Sequence, residues 1–233
     1  MVTSMETREV VVPHDPSCGP LTAVRRMLVH SSLADLQQRG LFEQYCALID
    51  PQALASINEL IGPGWMPVEL AIDHYTARDK LGLGRDEVYA AGVRAGGKMG
   101  EALLVAGSQL GAHVERSPWT IVNAFSRLGR RLYEGGSSQF VKLAENKLLI
   151  EYRGNPLFAL GYYRTAHTGF MHQTFASAGL ELTAFSLSPY RREAGTNRSP
   201  NELVMMGTEL PRHAVAWRWC TRRSTASVVP RLR

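Results

Sequence analysis

The chain has 233 residues, of which 45% are apolar and 20% are charged, and this composition is typical of a globular protein with a substantial core rather than of a disordered chain. The net charge of the chain is +5, which by itself would suggest a nucleic-acid partner. Most of this charge lies in the last twelve residues, RRSTASVVPRLR, which contain four arginines and no acidic residue, so the net charge of the other residues is only about +1. We therefore expect no nucleic-acid partner, and we interpret residues 221–233, with Arg222 to Arg233, as a basic and flexible tail.

The first 21 residues predict an irregular N-terminal segment. A short β-branched run from Val10 to Val12 indicates a strand, and the prolines and glycine that follow punctuate the chain too densely for regular structure. Residues 22–39 then predict a strand that continues into a helix near Ser31 or Ser32, since serine before an apolar-periodic stretch is a helix start signal.

Residues 50–76 predict two helices joined by a corner. Asp50 is expected to cap the first helix, with Pro51 at its first position, and the segment from Gly62 to Gly64 ends it. The second helix is expected to start at Pro67. Residues at helical spacing predict its buried face: Val68, Ala71, Ile72, Tyr75 and Thr76. Three polar residues are expected mainly on its other faces: Glu69, Asp73 and His74.

Two more helices are predicted in the middle of the chain. The first runs from Arg85 to Leu110 and carries Gly92, Gly96 and Gly100 at intervals of four, which favours close approach of another element to one helix face. The second starts at the Ser117-Pro118 pair. Its apolar stripe follows helical spacing: Trp119, Val122, Phe125, Leu128 and Leu132.

The second half of the chain changes to the alternating pattern of β-strands. A hairpin is predicted from Phe140 to Arg153, with its turn around Glu145-Asn146. Further elements are expected in this order: a helix over Leu157–Ala178, a strand over Leu180–Leu187, an exposed loop over Ser188–Asn201 and a last strand over His213–Cys220. The order predicts an α+β fold, in which a helical N-terminal half packs on a small antiparallel sheet (hairpin, helix, two strands), as one domain over residues 22–220.

No motif in the chain identifies a reaction. The segment Gly92 to Lys98 matches part of a phosphate-binding loop, but Met99 replaces the Ser or Thr that would hold magnesium, and the preceding residues read as helix rather than strand. The three cysteines are isolated, so neither a disulfide framework nor a zinc site is indicated. The histidines lack partners at ligand spacing. We therefore assign no catalytic residue and no metal ligand.

The expected location is the cytoplasm. No run of about 18 apolar residues is present, and the N-terminal sequence lacks the basic-then-apolar order of a secretory signal. The three isolated cysteines agree with this expectation, because thiols stay reduced in the cytoplasm.

Aromatic residues are the feature that could serve a pocket. Such residues line ligand sites, but they also simply fill cores, and both interpretations stay open at this point. If there is a ligand site, five residues are the candidates for its lining: Trp65, Tyr75, Trp119, Tyr163 and His167.

Five segments carry a resemblance to a known family: LFEQYCALIDPQ, WMPVELAIDHY, SPWTIVNAFSRLGRRLYEGG, EYRGNP and HAVAWRW. They resemble an uncharacterised family expanded as paralogues in myxobacteria, which is distantly similar to the fold of TRAPP vesicle-tethering subunits, 4-vinyl reductase domains and haem nitric-oxide-binding domains. The resemblance covers about residues 22–220 and implies an α+β domain with helices on a small antiparallel sheet. The Tyr-x-Ser-x-Arg motif of the haem-binding branch is absent, and Cys46 is a loose candidate for the acylated cysteine of the TRAPP-like branch.

Three functional hypotheses follow, in decreasing order of support. The first is a non-catalytic cytoplasmic sensor or adaptor domain that acts through dimerisation or protein contact and needs no cofactor. The second is a sensor that binds a small apolar ligand, either haem or lipid-like, among the five candidate residues. The third is an enzyme of unknown reaction.

Overall fold

The structure is a computed structural model that describes residues 9–60, 62–108, 118–144, 147–177, 181–182, 202–204 and 219–220. The predicted loop over Ser188–Asn201, the tail over residues 221–233 and most of the predicted last strand lie outside these ranges.

Helices dominate the first half of the chain, as predicted. The α-helices of the described part are α1 (Arg26–Gln38), α2 (Phe42–Cys46), α3 (Pro51–Glu59), α4 (Val68–Lys80), α5 (Arg85–Ser108), α6 (Pro118–Leu132) and α7 (Gly161–Ser177). A 3₁₀ turn over Pro156–Ala159 precedes α7.

The strands form small sheets in which every pairing is antiparallel. The described strands are β1 (Glu9–Val12), β2 (Ala23–Arg25), β3 (Trp65–Pro67), β4 (Tyr133–Glu134), β5 (Ser137–Ala144), β6 (Lys147–Arg153), β7 (Glu181–Leu182), β8 (Glu202–Val204) and β9 (Trp219–Cys220). Four of them form one sheet in the order β1-β5-β6-β8, three form a second in the order β3-β2-β4, and β7 pairs with β9. The α+β fold class is therefore confirmed.

Local chemistry explains several elements that the sequence predicted. The Asp50 carboxylate accepts hydrogen bonds from the backbone N–H groups of Gln52 and Ala53, both at 2.9 Å, so the predicted cap of α3 is confirmed. The predicted hairpin is the β5–β6 pair, in which Phe140 lies opposite Ile150. Both side chains are buried in the core.

Three helix starts differ from the prediction. Helix α7 begins at Gly161 rather than at Leu157, because the 3₁₀ turn over Pro156–Ala159 comes first. The other two starts follow strands. Helix α1 begins at Arg26 rather than near Ser31 or Ser32, directly after β2, which is paired on both sides. Pro67 belongs to strand β3, and α4 begins one residue later. The end of a paired strand, rather than a side-chain cap, sets where each helix begins, since neither start has a side-chain cap hydrogen bond.

The buried face of α4 is wider than predicted. Val68, Ala71 and Tyr75 are buried as expected, but His74, which the sequence placed on another face, is fully buried. Its ring finds partners on other elements, because its Nδ1 atom lies 2.8 Å from the Tyr45 hydroxyl and its Nε2 atom lies 2.9 Å from the Ser32 hydroxyl. Hydrogen bonds on both nitrogens offset the cost of burying the ring.

Helices α5 and α7 pack backbone to backbone. A Cβ atom at Gly92 would collide with the carbonyl group of Ala166, and one at Gly96 would collide with the carbonyl oxygen of Phe170. From the other side, a Cβ atom at Gly169 would collide with the carbonyl oxygen of Tyr89. The close approach predicted from the glycine spacing is confirmed at Gly92 and Gly96.

The N-terminus of α7 is attached to the end of α4. The Asp79 carboxylate accepts hydrogen bonds from the backbone N–H groups of Gly161, at 2.9 Å, and of Tyr162. A carboxylate is favourable there because the first N–H groups of a helix have no intrahelical partner. In the described ranges, no helix is both long enough and apolar enough to cross a membrane.

Candidate functional site

A cleft of about 470 Å³ lies among helices α1, α4, α5 and α7, and we call it the helical cleft. Its volume falls within the range of small-molecule sites. Its described lining consists of Met27, Leu28, Ser31, Ser32, Ala34, Asp35, Gln38, Tyr75, Arg78, Ala91, Gly92, Arg94, Ala95, Tyr133, Tyr162, Tyr163, Ala166, His167 and Phe170.

Aromatic rings from α4 and α7 form one wall of the helical cleft. Tyr75 packs edge-on against Tyr163, with ring centroids 5.2 Å apart, and stacks on Tyr162 at 6.1 Å. Tyr163 stacks in turn on His167 at 5.7 Å. Helical spacing brings Tyr163, His167 and Phe170 to one side of α7. The wall is thus a continuous apolar surface of edge-to-face and stacked rings.

Arg78 is the buried charge of the helical cleft. It lies one turn after Tyr75 on α4, and its side chain is fully buried. Its Nη2 atom donates to Asp35 Oδ2 at 3.3 Å and to the Tyr162 hydroxyl, while the guanidinium carbon lies 4.4 Å from the centre of the Tyr162 ring. Its Nε and Nη1 atoms have no hydrogen-bond partner among the described residues.

Asp35 is the carboxylate of the cleft, and three arginines share it. Arg94 donates to its Oδ1 atom from Nη2 at 2.6 Å and from Nε at 3.1 Å. Arg39 lies 3.5 Å from Oδ2, the oxygen that Arg78 also contacts, and is paired with Glu87 as well. Burial alone would raise the pKa of the Asp35 carboxyl, but the hydrogen bond and charge of Arg94, together with the charge of Arg78, lower it below its usual value.

Burial keeps three titratable groups of the cleft wall neutral: His167, Tyr75 and Tyr163. Burial lowers the pKa of His167 to about 3. Burial also raises the pKa values of Tyr75 and Tyr163 far above that of an ordinary phenol. Behind the wall, burial and then the charges of Arg78 and His30 lower the pKa of His74 to about 3. At neutral pH, the fixed charges of the described lining are therefore those of Asp35, Arg78 and Arg94.

A second cavity, of about 290 Å³, lies on the other side of the same aromatic wall, and we call it the sheet-side cavity. Both cavities are lined by Tyr133, Tyr163, His167 and Phe170. The hydroxyls of Tyr133 and Tyr163 lie 2.8 Å apart, which ties β4 to α7 across the partition. These four residues therefore form the partition between the two cavities.

His167 is the residue that a haem ligand would need. Its Nε2 atom lies 2.9 Å from the Tyr152 hydroxyl in a buried contact, so coordination of iron through that atom would require breaking this hydrogen bond. Across the described residues, no group of three His, Cys, Asp or Glu side chains comes together as candidate metal ligands. The geometry at Nε2 does not fit an axial haem ligand.

The structure places three of the five predicted pocket residues together. Tyr75, Tyr163 and His167 line the helical cleft. Trp65 lies in β3, where its ring faces the guanidinium of Arg25 at 4.1 Å. Trp119 lies on α6, with the Lys142 amino group 5.2 Å from its ring centre. Neither tryptophan is among the described residues that line the two cavities.

Sequence reasoning missed Arg78 and Asp35. The signal for Arg78 was its position three residues after Tyr75, on the face that the periodicity of α4 had marked as buried. Asp35 had no comparable signal, because its partners come from α4 and α5, far away in the chain.

Cys46, the loose acylation candidate, is half-buried. Burial, and after it the charge of Glu43, raises the pKa of its thiol, so less thiolate is present than for a free cysteine. It is not among the described residues that line the helical cleft.

Comparisons of this chain with protein-family models, with curated proteins and with solved structures found no match.

Proposed function

We propose that this protein is a cytoplasmic, non-catalytic sensor domain that binds a small, largely apolar organic ligand in the helical cleft. The observation that carries the proposal is the cleft itself, which has about 470 Å³ of space beside a wall of neutral aromatic rings. Sites for small molecules are typically concave, mostly apolar and supplied with a few polar groups that orient the ligand.

Four helices supply the cleft, and this supports a sensing role. Helices α5 and α7 are held together by backbone contact at Gly92 and Gly96, so they form a rigid side of the cleft. The side formed by α1 is joined to α5 by ion pairs, among them Asp35 with Arg94. A ligand between these sides contacts both, and its binding energy can therefore change how α1 is held.

The adaptor hypothesis, in which the domain dimerises or binds a protein, receives less support from the surface. Over the described residues, the large hydrophobic side chains that are exposed are Val10 and Met27. Single exposed hydrophobic residues are normal on monomeric proteins. Native mass spectrometry of the intact chain tests dimerisation directly, and a mass of twice the chain would support the adaptor hypothesis.

The same measurement tests the ligand proposal when the protein is purified from its own host. We expect a bound mass that disappears on denaturation. An absorption spectrum of the sample from 350 to 450 nm identifies haem by its Soret band if haem is the bound group.

A second test fills the helical cleft. Ala91 lines it from α5, whereas its neighbour Ala90 is half-buried and not among the described lining residues. We expect Ala91→Phe to weaken binding of the neutral fluorescent probe N-phenyl-1-naphthylamine at least tenfold, and the matched control Ala90→Phe to bind it as the wild type does. Urea denaturation checks that both variants fold. Equal binding by all three proteins would place the probe elsewhere and refute the site.

A further inference from the structure

We infer that the ligand of the helical cleft is an organic carboxylate, bound with its carboxylate at Arg78 and its apolar body along the aromatic wall. This inference rests on the proposed function and adds the chemical class of the ligand. It starts from a fully buried guanidinium whose Nε and Nη1 atoms lack partners among the described residues.

Unpaired donors on a buried charge are unfavourable. A buried polar group without an acceptor loses its hydration and gains nothing in return, and the loss is larger for a charged group. Arginine stays protonated in proteins, so Arg78 cannot escape the cost by becoming neutral. Arg78 is among the residues that line the helical cleft, so an acceptor that reaches its Nε or Nη1 atom from the cleft removes this penalty.

The charges of the cleft favour an anionic acceptor over a neutral one. Its described lining holds the two arginines Arg78 and Arg94 against the single carboxylate of Asp35. That carboxylate is engaged mainly by Arg94, through two hydrogen bonds of 2.6 and 3.1 Å, whereas its contact with Arg78 is longer, at 3.3 Å. Tyr75 and Tyr163 are neutral and cannot supply the missing negative charge. A second carboxylate, from a ligand, would balance the pair of guanidinium groups.

The space beside Arg78 sets the size of the apolar body. At roughly 30 Å³ per non-hydrogen atom, which is the share of a water molecule in the liquid, about 470 Å³ holds about 15 such atoms. Tyr75, Tyr163 and Phe170 offer ring faces and edges to such a body but no charge. A medium-chain fatty acid or an arylalkanoic acid has this size and this polarity.

The test compares decanoate with decanol, which share a ten-carbon chain and differ in charge. Isothermal titration calorimetry at pH 7.5, below the micelle concentration, gives the dissociation constant of each probe for the full chain. We expect the wild type to prefer decanoate at least tenfold. We expect Arg78→Met to weaken decanoate binding roughly tenfold to a hundredfold, as for loss of a charged hydrogen bond, and to leave decanol binding within about threefold.

Two further variants keep the test decisive. Arg78→Lys retains the charge without the planar guanidinium, and we expect it to restore part of the preference for decanoate. Arg94→Gln leaves Arg78 in place but removes one of the two positive charges of the lining and frees Asp35 to pair with Arg78, so we expect it to lower the preference for decanoate by less than Arg78→Met does. The wild-type comparison needs no variant, so it decides the question even if Arg78→Met fails to fold.

The outcomes separate this inference from the proposed function. Equal affinity of the wild type for decanoate and decanol would overturn the carboxylate inference while leaving an apolar site in place. Failure of both probes to bind, together with failure of the neutral fluorescent probe, would overturn both. A preference for decanoate that survives in Arg78→Met would place the anion at another residue and also overturn the inference.

Discussion

The backbone contact between α5 and α7 makes a sharp prediction for a pair of glycines five residues apart. Gly92 faces α7, and an added Cβ atom would meet the carbonyl carbon of Ala166 at 2.7 Å and the backbone nitrogen of Phe170 at 2.9 Å, besides colliding with the Ala166 oxygen. Gly97 lies on the same helix, and the nearest atom to an added Cβ would be the Gln173 Cγ atom at 3.8 Å. Alanine is therefore excluded at the first position and accommodated at the second.

The expected energies have opposite signs. Alanine in place of glycine inside a helix stabilises by about 1 kcal/mol, and this is the whole effect that we expect for Gly97→Ala. At Gly92 the same gain is present, but the neighbouring atoms are backbone and can move only if α7 moves as a unit. Forcing extra atoms into a packed interior costs typically about 1–3 kcal/mol, and more where the obstacle is rigid, so we expect Gly92→Ala to lower the free energy of unfolding by about 2 kcal/mol.

Urea denaturation followed by far-UV circular dichroism measures both variants. A difference of about 3 kcal/mol between them separates the two midpoints by about 1 M or more, at the urea dependence that is typical of single domains. The wild type should lie between the variants. If both substitutions raise the midpoint by the same amount, helix propensity alone explains the data and the close contact between α5 and α7 is refuted.

Three further predictions concern titratable groups. Burial holds His74 and His167 neutral with pKa values of about 3, against about 6.5 in an unfolded chain, so unfolding takes up protons at both between pH 6.5 and 3. The free energy of unfolding should therefore fall by up to about 2.7 kcal/mol per pH unit as the pH is lowered through this window, and a urea midpoint that stays constant from pH 7 to pH 5 would contradict this. Asp79→Ala should lower the thermal midpoint by removing about 1 kcal/mol of capping at the start of α7, and Asp79→Asn should retain part of it, because an amide oxygen still accepts a hydrogen bond. Asp35→Asn should cost about 3 kcal/mol in urea denaturation, because it leaves the buried charge of Arg78 without its carboxylate, and an unchanged midpoint would show that Arg78 does not depend on Asp35.

The sequence predicted correctly those elements that are determined by residues close to one another in the chain. The cap at Asp50 depends on N–H groups two and three residues away, and the hairpin depends on alternation within one stretch of chain. The glycine spacing of α5 also predicted close helix packing, because small residues on one helix face imply that another element lies close to that face, even when the sequence does not say which element. Each of these signals is complete within a few turns of the chain.

Errors arose where distant residues decide the outcome. His74 was assigned to an outer face of α4 because a polar residue is costly to bury, but Tyr45 and Ser32 supply both of its hydrogen bonds from other helices. Arg78 was missed for the same reason, since arginine is almost never fully buried unless it is paired. Its partners Asp35 and Tyr162 are 43 and 84 residues away in the sequence. The periodicity of residues within one helix cannot reveal partners that lie so far away in the sequence.

The two sides of the helical cleft differ in how much energy is needed to separate them. Helix α5 cannot shift toward α7, because the backbone atoms around Gly92 and Gly96 are already in contact, and a shift away from it would open a void in the interior. Helix α1 is joined to α5 by Asp35 with Arg94 and by Arg39 with Glu87. Arg94 and Glu87 are about half exposed, and ion pairs of exposed side chains are worth at most about 1 kcal/mol each. A carboxylate bound at the Nε and Nη1 atoms of Arg78 would lie near the Asp35 carboxylate of α1, and the repulsion between the two negative charges would weaken one of the contacts that α1 makes with the rest of the fold. Helix α1 is therefore the side of the cleft on which ligand binding would be registered.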